Sequence, residues 1–179
     1  MTKIIPNTQI VKGLKESKIA KSENNDCSVK AIATAFNVEY DKAHKFLSEN
    51  YNRPNKKGVS SRSWHNINDK FSDENTTVLG KKIKKIEYTE IEVDAKRCVR
   101  KSSQWNNGSS YDYKKKLKLY TKKGSKYSQL TVGSFLKKYK EGTYMVSVRA
   151  HTFTIKDGIV CEYGIVKKRV PIEKIWEVV

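Results

Sequence analysis

Cysteines, histidines and the carboxylates near them hold the nucleophilic and acid–base chemistry open to this chain of 179 residues. Cys27 lies in SENNDCSVKAIATAF, residues 22–36, where a helix begins. A thiol at that position can be a packing residue, half of a disulfide, a metal ligand or a nucleophile. The thiolate is the reactive form, and the N-terminal end of a helix stabilises it. A nucleophilic thiol needs a base, and the base needs a group that fixes its tautomer and orientation.

His151 and Glu162 offer that pair. The segment TYMVSVRAHTFTIKDGIVCEYG reads as a β-hairpin of two alternating strands around Asp157-Gly158, a favoured two-residue turn. This register sets Lys156 opposite Ile159, Thr154 opposite Cys161, Phe153 opposite Glu162 and His151 opposite Gly164. Alternation then gives His151, Phe153, Ile155, Glu162 and Gly164 one common face. Glu162 becomes a diagonal neighbour of His151, and the small Gly164 leaves room for the ring. An oxyanion would draw on the free backbone N–H of Cys27 at the helix start and on the side-chain amide of Asn25.

The other candidates have plainer roles. Cys161 points away from His151 and reads as a packing residue. Cys98 has no visible partner. His65 follows Trp64 and is expected to be solvated or to cap a helix. His44 falls on the polar side of its helix, where it would add only surface charge at low pH. An odd number of cysteines at wide spacing is no disulfide framework, and no pair is spaced C-x-x-C. No Cys/His group has zinc-site spacing, so neither a metal nor another cofactor is expected.

Periodicity supplies the elements that must position these groups. Residues 1–21 read as an irregular or extended arm with a short amphipathic turn near Leu14 and Ile19. Val29, Ile32, Ala33 and Phe36 then give a helix with one apolar face, capped by Asn24, Asn25 or Asp26. Tyr40, Ala43, Phe46, Leu47 and Tyr51 mark a second helix, packed on the first as a hairpin. Pro54 and Gly58 break it, and Ser60 or Ser61 starts a third helix with Trp64, Ile67 and Phe71 on one side. KKIKKIEYTEIEVD reads as one or two strands. Thr131 caps a later helix that buries Val132, Phe135, Leu136 and Tyr139 and stops at Gly142. The C-terminal KKRVPIEKIWEVV gives a last strand or two, with Pro171 demoting its middle to an edge.

Charge is the other strong signal. The chain carries 37 Lys+Arg against 19 Asp+Glu, a net +18. Lysine dominates, a usage that fits an AT-rich genome as well as phosphate binding. Residues 94–129 hold eleven Lys+Arg against Asp94 and Asp112, a net of +9. Trp105, Tyr111, Tyr113, Tyr120 and Tyr127 are interleaved there with Lys114, Lys115, Lys116, Lys118, Lys122 and Lys123. This stretch reads as an exposed, partly extended insertion. It is either a solvated loop or a surface for nucleic acid or an acidic protein, where lysines meet phosphates and tyrosines stack. Lysine contacts of this kind carry affinity without sequence readout. No signal peptide is visible and no apolar run spans a membrane, so a reducing, intracellular location is expected, without secretion or membrane attachment.

Two blocks resemble a known group. NDCSVKAIATAFNVEYDKAHKFL is similar to the cysteine-bearing first helix of small papain-like cysteine peptidases, above all the short bacteriophage versions, and to the bacteriocin-processing peptidases. LTVGSFLKKYKEGTYMVSVRAHTFTIKDGIVCEYG resembles their histidine block. Cysteine on an early helix and histidine on a later strand is the papain-like order. The resemblance implies Cys27 as nucleophile, His151 as general base and Glu162 as the orienting residue, where Asp or Asn is commoner. The glutamine that such enzymes place some six residues before the cysteine is Lys21 here, which leaves Asn25 as the nearest amide. The implied fold is α+β: a single papain-like domain over 1–179, with N-terminal helices packed on an antiparallel β-sheet and the basic insertion at 94–129.

Two functions follow from these readings. One is a thiol hydrolase, a cysteine peptidase cutting an amide bond of a peptide or protein substrate in the host cytoplasm. The other is a non-catalytic papain-like binding or virion structural module that docks through its basic insertion.

Overall fold

The computed structural model describes residues 3–71, 73, 76–86, 89–94, 115–123, 126–162 and 166–179. Helices and strands segregate along the chain. Strand β1 (Ile4–Ile5) leads into the short helices α1 (Asn7–Ile10) and α2 (Lys18–Ser22), then α3 (Cys27–Phe36), α4 (Tyr40–Tyr51) and α5 (Ser61–Phe71). Strands β2 (Thr77–Val78) to β6 follow: β3 (Lys81–Lys85), β4 (Thr89–Asp94), β5 (Lys115–Lys123) and β6 (Lys126–Gln129). After α6 (Val132–Lys138) come β7 (Thr143–Val148), β8 (His151–Lys156), β9 (Ile159–Cys161) and β10 (Ile172–Val178). The chain is thus of the α+β class.

Two compact units emerge. Residues 1–87 and 131–179 form one, and residues 88–130 the other. The second holds a three-stranded antiparallel sheet, β4-β5-β6, with Asp94 opposite Lys115 and Lys123 opposite Lys126. The basic stretch therefore builds strand, and its sheet begins before residue 94, at Thr89. Lys115, Lys116, Lys118, Tyr120, Lys122 and Lys123 lie on β5. Lys114, Tyr111 and Tyr113, with Cys98 and Trp105, lie outside the described residues.

The first unit is built on a seven-stranded sheet in the order β1-β9-β8-β7-β10-β3-β2. The sheet is mixed, not antiparallel as the pattern predicted, because β1 runs parallel to β9. Two residues carry no alternation from which a strand or its direction could be read. Arg149 and Ala150 also turn the chain, Ala150 at φ +58°, so the expected two-strand hairpin is a three-strand meander with His151 opening β8. Around the Asp157-Gly158 turn the register is as expected, with Lys156 opposite Ile159 and Thr154 opposite Cys161.

Pro171 does not make an edge strand. It precedes β10 and forms only an isolated bridge with Thr131, so its missing N–H falls outside the ladder. β10 runs between β7 and β3, with Ile175, Trp176 and Val178 buried. Near its start the register slips between Ile172 and Lys174.

Helix α3 is the centre of the packing. Val29, Ala31, Ile32, Ala33, Ala35 and Phe36 are all buried. One side meets Tyr40, Ala43 and Leu47 of α4, and another meets the sheet. Thr154 Oγ1 on β8 donates to the Ala31 carbonyl at 2.8 Å, joining helix to sheet inside the core. Asn37 ends α3 in the left-handed conformation, its N–H donating to the carbonyls of Ala33 and Thr34. Ser60 Oγ accepts from the Ser63 N–H at the start of α5, where Ile67 and Phe71 are fully buried. Thr131 and Ser134 form a reciprocal cap on α6, over buried Val132, Phe135 and Leu136.

Candidate active site

Cys27 is the first residue of α3, so its backbone N–H has no partner within the helix. The cap expected here is absent. Asp26 occupies the N-cap position, but its carboxylate accepts from Tyr40 Oη at 2.9 Å and pairs with Lys30 at 2.8 Å. These bonds tie the start of α3 to α4 and leave the helix end open toward a cavity of about 790 Å³. Asn25, Cys27, Ser28, Gly58, His151 and Glu162 are among the residues that line it.

His151 comes to this cavity from β8. Its Nε2 lies 2.7 Å from Glu162 Oε2, which follows β9. With Nε2 engaged, Nδ1 is the nitrogen left for Cys27. Glu162 is buried while His151 is part-exposed. The position of Gly164, expected opposite His151, lies outside the described residues.

The ionisation of the pair follows from these neighbours. Burial raises the Cys27 thiol, but the hydrogen bond with His151, the Thr152 and Ser28 backbone N–H groups and the His151 charge bring it below its ordinary value. The hydrogen bonds to Cys27 and Glu162 push His151 up to about 10, against the opposing effect of burial. The two shifts run in opposite directions, as a thiolate–imidazolium pair requires near neutrality. Cys161 differs: it is buried, and burial raises its thiol.

Asn25 lines the cavity with Cys27, exposed, with φ +53°. Asparagine tolerates that left-handed conformation better than most residues, since its short polar side chain adapts to it.

Two features had no signal in the sequence. The first is Asn7, 2% exposed, whose Nδ2 donates to Glu162 Oε1 at 3.2 Å. The second is a buried ionic cluster. Glu23 accepts from Arg53 Nη2 at 2.7 Å, from His44 Nε2 at 3.0 Å and from the Lys56 N–H at 2.9 Å. His44 is therefore not on a solvated face: it is buried, because Glu23 folds back over α4 and supplies its partner. This cluster joins the segment before Cys27 to the loop that carries Gly58.

Among the described residues no group of three or more His, Cys, Asp or Glu is placed to hold a metal ion. Among them, too, no helix is long and apolar enough to cross a membrane. No protein-family model matches the chain, and searches of curated proteins and of solved structures give no significant match.

Proposed function

We propose that this chain is a thiol hydrolase on a papain-like scaffold, most specifically a cysteine peptidase that cleaves an amide bond. One observation carries the reading: a helix-borne thiol with lowered pKa meets a strand-borne imidazole whose other nitrogen is held by a buried carboxylate.

In this reading the Cys27 thiolate attacks the carbonyl carbon and forms a tetrahedral oxyanion. The Cys27 N–H and the Asn25 amide stabilise that charge. The His151 imidazolium gives its proton to the leaving nitrogen, the C–N bond breaks, and an acyl-thioester and a free amine result. Neutral His151 then takes a proton from water. The hydroxide attacks the thioester, the C–S bond breaks to release a carboxylic acid and the Cys27 thiolate, and His151, still protonated, completes the starting pair; the acid then ionises in solvent. Glu162 keeps the ring oriented and stabilises its charge.

The test is cleavage of a proteome-derived peptide library, read by mass spectrometry of new termini, together with iodoacetamide labelling at pH 6.5. Wild type should cut, and Cys27→Ala should reduce cutting by about a thousandfold or more. Cys27 should alkylate well before Cys161. Cutting that survives Cys27→Ala, or equal labelling of both thiols, overturns the reading.

A further inference from the structure

The residues before Asn7 are fixed to the strand that leads to the site. The Val160 N–H donates to the Lys3 carbonyl, and the Glu162 N–H donates to the Ile5 carbonyl, both at 3.1 Å. β1 thus lies along β9 with Ile5 opposite Cys161, one residue before Glu162. Two residues further on, Asn7 reaches the Glu162 side chain itself, 155 positions away in sequence.

We propose that Asn7 is a positioning residue of the triad, holding Glu162 so that its second oxygen meets His151. The inference rests on the thiol-hydrolase reading above and adds a fourth residue to it.

The chemistry favours an amide here. An ionised carboxylate only accepts hydrogen bonds. Asn7 Nδ2 serves Oε1 while His151 Nε2–H serves Oε2, so the carboxylate is gripped on both oxygens and its plane is set. An amide donates without titrating, so this grip on the carboxylate keeps its form across the pH range. Charged, oriented Glu162 in turn raises the proton affinity of His151, and His151 stabilises the Cys27 thiolate. Asn7 is 2% exposed, so water cannot readily replace it. Besides Cys27, His151 and Glu162, the ionisable side chains lining the cavity are Asp26 and Lys30, which pair with each other, and Glu173.

The experiment is the pH dependence of Cys27 alkylation by iodoacetamide in the full chain, compared across wild type, Asn7→Ala and Asn7→Asp. Below its midpoint the rate follows the thiolate fraction, so a one-unit rise in midpoint slows alkylation about tenfold. We expect a slowing of about that size at pH 6 for Asn7→Ala, which removes the donor. Asn7→Asp keeps the shape and sets a carboxylate against Glu162. It should slow alkylation further, as one of the two carboxyls takes up a proton. Val11→Ala, a cavity in the core near the end of the same short helix, controls for general loosening: it should lower the melting temperature without moving the midpoint. If Asn7→Ala does not fold, the isosteric Asn7→Asp decides alone. A wild-type midpoint below that of an ordinary thiol, unchanged in the folded Asn7 variants or moved equally by Val11→Ala, overturns the role of Asn7 and leaves the triad. An ordinary wild-type midpoint overturns both.

Discussion

Glu162 Oε2 lies 2.7 Å from His151 Nε2, and that contact decides which imidazole nitrogen serves the thiol. With Nε2 held, Nδ1 is the nitrogen left for Cys27. The carboxylate also favours the protonated ring, so charge and orientation come from one side chain.

Replacing that carboxylate by its amide separates the two effects. Glu162→Gln keeps the size but removes the charge that helps to hold His151 near 10. The ring should lose its proton at lower pH, and Cys27 should gain its proton at higher pH. Iodoacetamide labelling of Cys27 at pH 6 should slow about tenfold, equivalent to one unit in the midpoint. An unchanged labelling profile would remove Glu162 from the site.

In the proposed reaction, the pH dependence of turnover follows from the same pair. The folded Cys27 pKa is lowered, so the acid limb of kcat/KM should fall below the ordinary thiol range. The folded His151 pKa is raised to about 10, so the alkaline limb should appear near there. These are values of the coupled pair, not of single residues. Stability has a definite sign as well. Raised His151 contributes fully below its unfolded value of about 6.5 and is lost as pH rises through the folded value; lowered Cys27 contributes above about 8.5 and is lost as pH falls through its folded value. Urea unfolding of wild type and Cys27→Ala should therefore differ most between those two unfolded values. The difference should shrink on either side, and a difference that keeps growing toward pH 10 would contradict the pairing.

The helix that carries Cys27 is fixed to the strand that carries His151 through Thr154 and Ala31. Thr154→Val keeps the shape and deletes the donor, leaving a buried carbonyl with one bond fewer. Urea unfolding should show a loss of about 1 kcal/mol. Because Thr154 is three residues from His151, Cys27 labelling should slow in the same variant; a loss of stability with unaltered labelling would show that the helix–sheet contact does not set the site.

What the sequence made legible was what local rules govern. The apolar period of α3 and the Asp157-Gly158 turn led to Cys27 at a helix start and to Glu162 beside His151. The caps of α5 and α6, the apolar faces of α3 and α4 and the buried Val132, Phe135 and Leu136 of α6 follow from the same rules, whereas Tyr139, expected on that buried face, is the half-buried C-cap. What it hid depends on distant partners. Asn7 acquires its role from a residue 155 positions away, through a strand of two residues. His44 looked solvated because Glu23, its partner, lies outside its helix. Pro171 suggested an edge, yet the strand begins one residue later, and neighbours on both sides come from other parts of the chain. The α+β class was legible from such rules, whereas the parallel β1 that makes the seven-stranded sheet mixed was not.

Glu23 and Arg53 provide the last test, because their pairing holds the segment that precedes Cys27. Both side chains are almost wholly buried, at 1% and 0% exposure. Arg53→Met would strand the Glu23 carboxylate beside His44 and should cost about 3–5 kcal/mol, since a buried charge then lacks its partner. Glu23→Gln with Arg53→Met removes both charges and should recover part of that loss. The pH sign is fixed by Glu23. Burial raises its pKa, but the hydrogen bonds from Arg53, Lys56 N–H and His44 lower it more, so the net shift is downward. A lowered folded pKa contributes stability above the unfolded value of about 4.3, and that contribution is lost as pH falls through the folded one. Wild type should thus weaken in urea as pH drops below about 4, and Glu23→Gln should weaken less steeply there. Equal acid sensitivity in the two proteins would place the acid-labile group elsewhere.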